Sequence, residues 1–148
     1  MDKVDRIERE VIVAAPIETV WAAITDAEEV AQWFGDVVEI DLRPGGRARF
    51  GWAEHDSVTD AVIEIVEPLR RFAYRWASAA GVAVDDGPST LVEFTLDVVA
   101  EGTRLRLVES GFANLPDEIY ETSIGGNRSG WHSELGDLTE FLGALQGV

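Results

Sequence analysis

The middle of the chain obeys a period of two. Between Val37 and Ser110 one parity is apolar and the other mostly charged or small. Ala48, Phe50 and Trp52 stand against Arg47 and Arg49, and Phe72, Tyr74 and Trp76 against Arg71, Ala73 and Arg75. Val92, Phe94, Leu96 and Val98 alternate with Glu93, Thr95 and Asp97; Leu105, Leu107 and Glu109 alternate with Arg104 and Arg106. Because successive side chains of a strand point to opposite faces, this pattern requires a sheet with one apolar and one solvated face. Turn signals at Pro44-Gly45-Gly46, Glu54-His55-Asp56, Pro68-Leu69-Arg70 and Glu101-Gly102 cut the segment into a meander of about six antiparallel strands.

The flanks supply what covers the apolar face. Arg6 to Val13 alternates as a further, edge or half-buried strand. Ala15-Pro16 opens a helix carrying Ile17, Val20, Trp21 and Ile24, and Asp26 is placed to cap a second short helix with Val30, Trp33 and Phe34. From about Asn127 to Leu145, Trp131, Leu135, Leu138, Leu142 and Leu145 recur at 4-3-4-3 spacing, one apolar stripe on a long helix. That stripe has to be buried, and the aromatic face of the sheet is the surface available for it. The expected architecture is α+β, a curved sheet of about seven strands around a C-terminal helix, as one domain over residues 1–148. A mostly apolar hollow is expected between sheet and helix. The run Ala79–Ser89 is the longest loop and is expected to border it.

Composition removes several chemistries. Cysteine is absent, which excludes disulfides and thiolate catalysis or ligation. A formal charge of −16 repels phosphate backbones and anionic lipid, so neither nucleic acid nor membrane is an expected partner. With a single lysine among its bases, that acidity fits a salt-rich cytoplasm and a codon bias equally well. The N-terminus lacks the basic-then-apolar order of a secretory signal and no run of about 18 apolar residues exists, so a cytoplasmic location is expected. Gly45-Gly46 and Gly125-Gly126 follow no phosphate-loop pattern, and no cofactor is expected.

The order strand, two helices, six strands, long helix resembles the START-like or SRPBCC superfamily with its helix-grip (START/Bet v-like) fold. The nearest branch is the one named after the C-terminal domain of the activator of the heat-shock protein 90 ATPase. Ala15-Pro16 with Val20-Trp21, Trp33-Phe34, Pro44-Gly45-Gly46, Pro68 and Trp76 carry the resemblance, with Thr103-Arg104-Leu105, Val108 to Phe112, Gly130-Trp131, Leu135 and Leu138. It implies a small-molecule cavity or a chaperone partner, and domains like it occur as monomers or homodimers; the superfamily also holds cyclases and hydrolases, so fold does not select among these.

Candidate ligand-contacting residues are Trp33, Phe34, Phe50, Trp52, Phe72, Tyr74, Trp76, Phe94, Glu109, Phe112, Trp131, His132 and Leu135, the large rings serving either as core or as cavity wall. Parity points Glu109 inward, where an unpaired charge is expensive; a bulge at Ser110-Gly111 would turn it out instead. If inward, its partner is expected to be Tyr74, His132 or a ligand donor, because Arg104 and Arg106 lie on the opposite parity. A Glu109–His132 acid–base pair would require the two within hydrogen-bonding reach. His132-Ser133-Glu134 has the wrong helical spacing for chelation, so no metal site and no catalytic set is assigned. The leading expectation is binding of a small hydrophobic or aromatic molecule, the alternatives being a chaperone-interaction domain and an enzyme using the same cavity.

Overall fold

The computed structural model describes residues 4–55, 57–78, 84–85 and 87–146. The expected loop 79–89 lies largely outside these, as do the side chains of His55 and Leu145. Seven strands form one antiparallel sheet in the order β1-β7-β6-β5-β4-β3-β2: β1 Arg6–Val13, β2 Val37–Ile40, β3 Arg47–Trp52, β4 Ser57–Glu67, β5 Arg71–Ala77, β6 Ser89–Val99 and β7 Gly102–Ser110. Between β1 and β2 stand α1, Ile17–Thr25, and α2, Ala27–Trp33; the chain closes with α3, Asp117–Gln146.

The period-two reading holds through the body of the strands but not at Val98, which is 72% exposed because the end of β6 runs beyond the apolar cover. In β6 every second residue from Thr90 to Leu96 is buried, and in β7 so are Thr103, Leu105, Leu107 and Glu109. The opposite face carries ion pairs between neighbouring strands, among them Arg71–Glu93, Arg75–Glu64 and Arg104–Asp97. A register shift between Ile63 and Ile65 places an extra residue in β4 opposite β5, a bulge of the kind that bends a sheet. The β2–β3 turn requires glycine by close approach, since a Cβ on Gly46 would fall 2.1 Å from the Asp41 carbonyl oxygen.

Local signals place the helices. Asp26 caps α2 by accepting from the Glu28 amide at 2.9 Å, and Pro16 stands one residue before α1 rather than inside it. The Trp33 indole donates to the Ala23 carbonyl at 2.8 Å, locking α2 onto α1. On α3 the stripe Ile124, Trp131, Leu135, Leu138 and Leu142 is buried against the sheet, as the spacing requires. The helix nevertheless starts ten residues before the expected Asn127, because Pro116 opens it and Ile119, Tyr120 and Ile124 pack on the core. Tertiary burial there outweighs the poor helix propensity of Gly125, Gly126 and Asn127.

The expected hollow is largely filled. Phe34, delivered by the end of α2, stacks on Trp131 with centroids 5.3 Å apart and planes 3° from parallel. Trp131 stacks in turn on Trp76 at 5.7 Å. Phe50, Phe72, Tyr74 and Phe94 occupy the rest of the concave face, each 2% exposed or less. What remains at the open end is a cleft of about 200 Å³ and a recess of about 80 Å³.

Candidate functional site

Cleft and recess adjoin at the mouth of the sheet and share Trp52, Trp76 and Asn127. The ends of β3, β4 and β5 contribute Trp52, Thr59, Trp76, Ala77 and Ser78, and the first half of α3 contributes Ser123 and Asn127 to the cleft. Gly126 and Gly130 of α3 leave the recess open, since a Cβ on either would meet nothing within 4 Å.

Beneath this mouth lies Glu109, 0% exposed. Parity therefore decides its direction, and the bulge that would have turned it outward does not occur: β7 stays in register with β1 and β6 through Ser110. Its Oε1 accepts from the Trp131 indole at 2.7 Å and the Asn127 amide at 3.1 Å. Its Oε2 accepts from the Thr90 hydroxyl at 2.5 Å, the Asn127 amide at 2.9 Å and the Trp76 indole at 3.0 Å. A carboxylate is an acceptor only, and each of these neighbours donates. Every one of them is formally neutral. The expected partners Tyr74 and His132 are not among them.

Each partner has a structural address. Trp76 and Thr90 face each other across the β5–β6 pairing, and Glu109 lies diagonally from Thr90 on β7. Asn127 and Trp131 are four residues apart, on one side of α3. Glu134, one turn further, lines the recess; its Oε2 is buried without a hydrogen-bond partner. Burial, and secondarily the charge of Asp137, pushes the Glu134 carboxyl up to about 7. Burial first, then Glu109 and Glu134, holds the Tyr74 phenol well above its ordinary value.

Of the residues singled out from sequence, Phe34, Trp52, Trp76 and Trp131 come together around the recess. Phe50, Phe72, Tyr74, Phe94, Phe112 and Leu135 are buried core and line neither space. Trp33 borders a separate open groove between α2 and the last turns of α3. His132 is exposed on α3 and makes no hydrogen bond to Glu109. Sequence reasoning missed Thr90, Asn127 and Glu134. A signal existed for each: Thr90 continues the inward parity of β6 one step back from Val92, and Asn127, Trp131 and Glu134 follow 4-3 helical spacing. Among the described residues no group of three His, Asp or Glu could hold a metal ion, and no helix is long and apolar enough to cross a membrane.

Comparison with known proteins places the chain. Among solved structures, DynU16, a protein of the dynemicin biosynthetic locus, is 30% identical with a TM-score of 0.77, covering 95% of this chain and 48% of that one. The present chain thus spans about half the length of DynU16. Protein MLL2253 from Mesorhizobium loti is 24% identical over 97% of this chain and 99% of its own, with a TM-score of 0.81. The Aha1 dimer from Colwellia psychrerythraea is 17% identical over 97% and 100%, with a TM-score of 0.76. These last two speak for the fold alone. No curated protein matches the chain. A family model described as Activator of Hsp90 ATPase homolog 1-like protein matches residues 14–143, from the turn after β1 into the last turns of α3. With the helix-grip architecture and this match over most of its length, the chain belongs to the Activator of Hsp90 ATPase homolog 1-like family.

Proposed function

We propose that the chain binds a small, flat, largely apolar ligand at the open end of the sheet, between Trp52 and Trp76 on one side and Ser123 and Asn127 of α3 on the other. The observation that supports this most is the pinned polar wall of the cleft. Asn127 spends its amide N–H groups on Glu109, which leaves its carbonyl oxygen as an oriented acceptor beside two indole rings. Apolar walls with a few fixed polar groups are what small-molecule sites need. The cleft, about 200 Å³, is smaller than the usual range for such sites, about 300 to about 1,000 Å³. A single ring or compact headgroup fits it as it stands, and a larger ligand requires the half-buried Trp52 ring to swing outward. The similarity to a protein of a biosynthetic locus is in keeping with a small-molecule ligand.

Binding is favoured over chemistry at Glu109. Five donor contacts occupy both of its oxygens, and His132, exposed on α3, is not among its hydrogen-bond partners. The test is a titration with flavonoids, polyketide-like aromatics and fatty acids, followed by tryptophan fluorescence. A saturable change is expected, lost in Ser123→Phe, which fills the cleft while keeping all five tryptophans; silence across the panel overturns the reading.

The family description favours a second reading, support of a chaperone ATPase. Pull-down with the chaperone and an ATPase assay test it, and unchanged turnover removes it.

A further inference from the structure

We propose that the recess walled by Phe34, Trp52, Trp76 and Trp131 takes a small organic cation, a substituted ammonium group. This deepens the proposed function and rests on it: the cation would be one end of the ligand whose flat part occupies the cleft.

Three independent observations converge on that chemistry. The first is shape. Four aromatic rings, Phe34, Trp52, Trp76 and Trp131, line the recess, with Trp52 set nearly perpendicular to Phe34 at 5.3 Å and the other three near-parallel to one another. Rings attract a cation placed over their faces within about 6 Å, and such cages recognise quaternary and methylated ammonium groups. The volume, about 80 Å³, admits a compact headgroup and little more.

The second is charge. Glu109 is fully buried and its donors Trp76, Thr90, Asn127 and Trp131 are all neutral, so among the described residues no cation is hydrogen-bonded to it. A buried charge is costly unless compensated, and an ammonium in the adjoining recess would compensate it. Among the described residues no arginine, lysine or histidine lines the recess. The carboxylate also accepts from both the Trp76 and Trp131 indole N–H groups, which pushes electron density toward the ring faces that a cation would meet. The net charge of −16 raises the local concentration of cations further.

The third is Glu134. Glu134 lines the recess and its Oε2 is buried without a hydrogen-bond partner, an unpaired acidic group whose ionised form a cation in the recess would stabilise. The titratable groups around it are Asp137 on its own helix, with Tyr74 from β5 and Glu109 from β7 sharing the same interior. None of these is cationic, and α2 presents the apolar Phe34. A cation binding beside Glu134 would favour its ionised form and release a proton near neutral pH.

The experiment compares choline with its neutral isostere 3,3-dimethylbutan-1-ol, following the indole N–H resonances of the five tryptophans by NMR. Choline is expected to shift the Trp76 and Trp131 signals saturably and to bind at least about tenfold more tightly than the alcohol, a difference of about 1.4 kcal/mol. Its affinity should rise from about pH 6 to about pH 8 as Glu134 ionises, and Glu134→Gln should flatten that profile. Equal binding of choline and the alcohol, or no saturation by choline up to about 100 mM, overturns the inference. If the neutral aromatic panel binds while choline shows no preference, the cation site falls and the ligand-binding reading survives. If nothing binds in either experiment, both fall.

Discussion

At the scale of single residues, the site is organised by one acid that is satisfied and another that is not. Trp131 is 2% exposed, stacked on two rings and bonded to Glu109, so it belongs to the core as much as to the recess. Trp131→Ala should cost about 3–5 kcal/mol by urea denaturation, the usual range for a large aromatic truncated in a packed core. Glu134 makes the opposite prediction. Its folded value of about 7 lies above the ordinary 4.5, so between those values the folded state holds a proton that the unfolded chain has lost. Stability from this group is therefore fully present below about pH 4.5 and is lost as pH rises through 7. Because the side chain is only half-buried, solvent screening reduces the effect to about 1–2 kcal/mol. Glu134→Gln should then stabilise the protein by about that amount at pH 8, and by nothing near pH 4, in parallel denaturation curves. The inward direction of Glu109 was legible from strand parity. Its partners were not, because hydrogen bonds among β5, β6, β7 and α3 join residues up to 33 positions apart in the chain.

At the scale of elements, α3 combines a tightly packed half with an open one. Its C-terminal half buries Leu135, Leu138 and Leu142, whereas around Gly126 and Gly130 the helix stands clear enough to leave the recess. Glycine in a helix interior costs about 0.8–1.0 kcal/mol relative to alanine. Since a Cβ at Gly130 meets nothing within 4 Å, Gly130→Ala should raise stability by about 0.5–1 kcal/mol while its methyl narrows the recess and weakens ligand binding. Thermal denaturation and the choline titration would read the two effects separately, and a variant that gains stability without losing affinity would place the ligand elsewhere. The stripe that seats α3 was visible as 4-3 spacing. Its true beginning at Asp117 was not, because glycines in the middle of a helix read locally as a boundary and only packing on the sheet overrides them.

At the scale of the whole molecule, 28 acidic residues face 12 basic ones. Ion pairs such as Arg71–Glu93 and Arg104–Asp97 on the solvated face are worth at most about 1 kcal/mol each and cannot offset the surplus. Repulsion among unpaired carboxylates should dominate, so raising salt from about 0.01 M to about 1 M, which shortens the screening length from about 30 Å to about 3 Å, should raise the melting temperature. A gain of about 1–2 kcal/mol corresponds to about 3–6 °C in a chain of this size, measurable by calorimetry. The amino-acid sequence by itself determined the seven-stranded sheet, its buried face, the two short helices and the seating of α3, because period and turn chemistry are local properties of the chain. Only the tertiary structure decided how much of the interior stays empty. That depends on Phe34, Trp76 and Trp131, from three distant elements, packing as offset, near-parallel rings, and on their side-chain volumes fitting one another. No pattern along the chain encodes the sum of volumes across a core, which is why an expected hollow became a packed aromatic stack with a small cleft at its mouth.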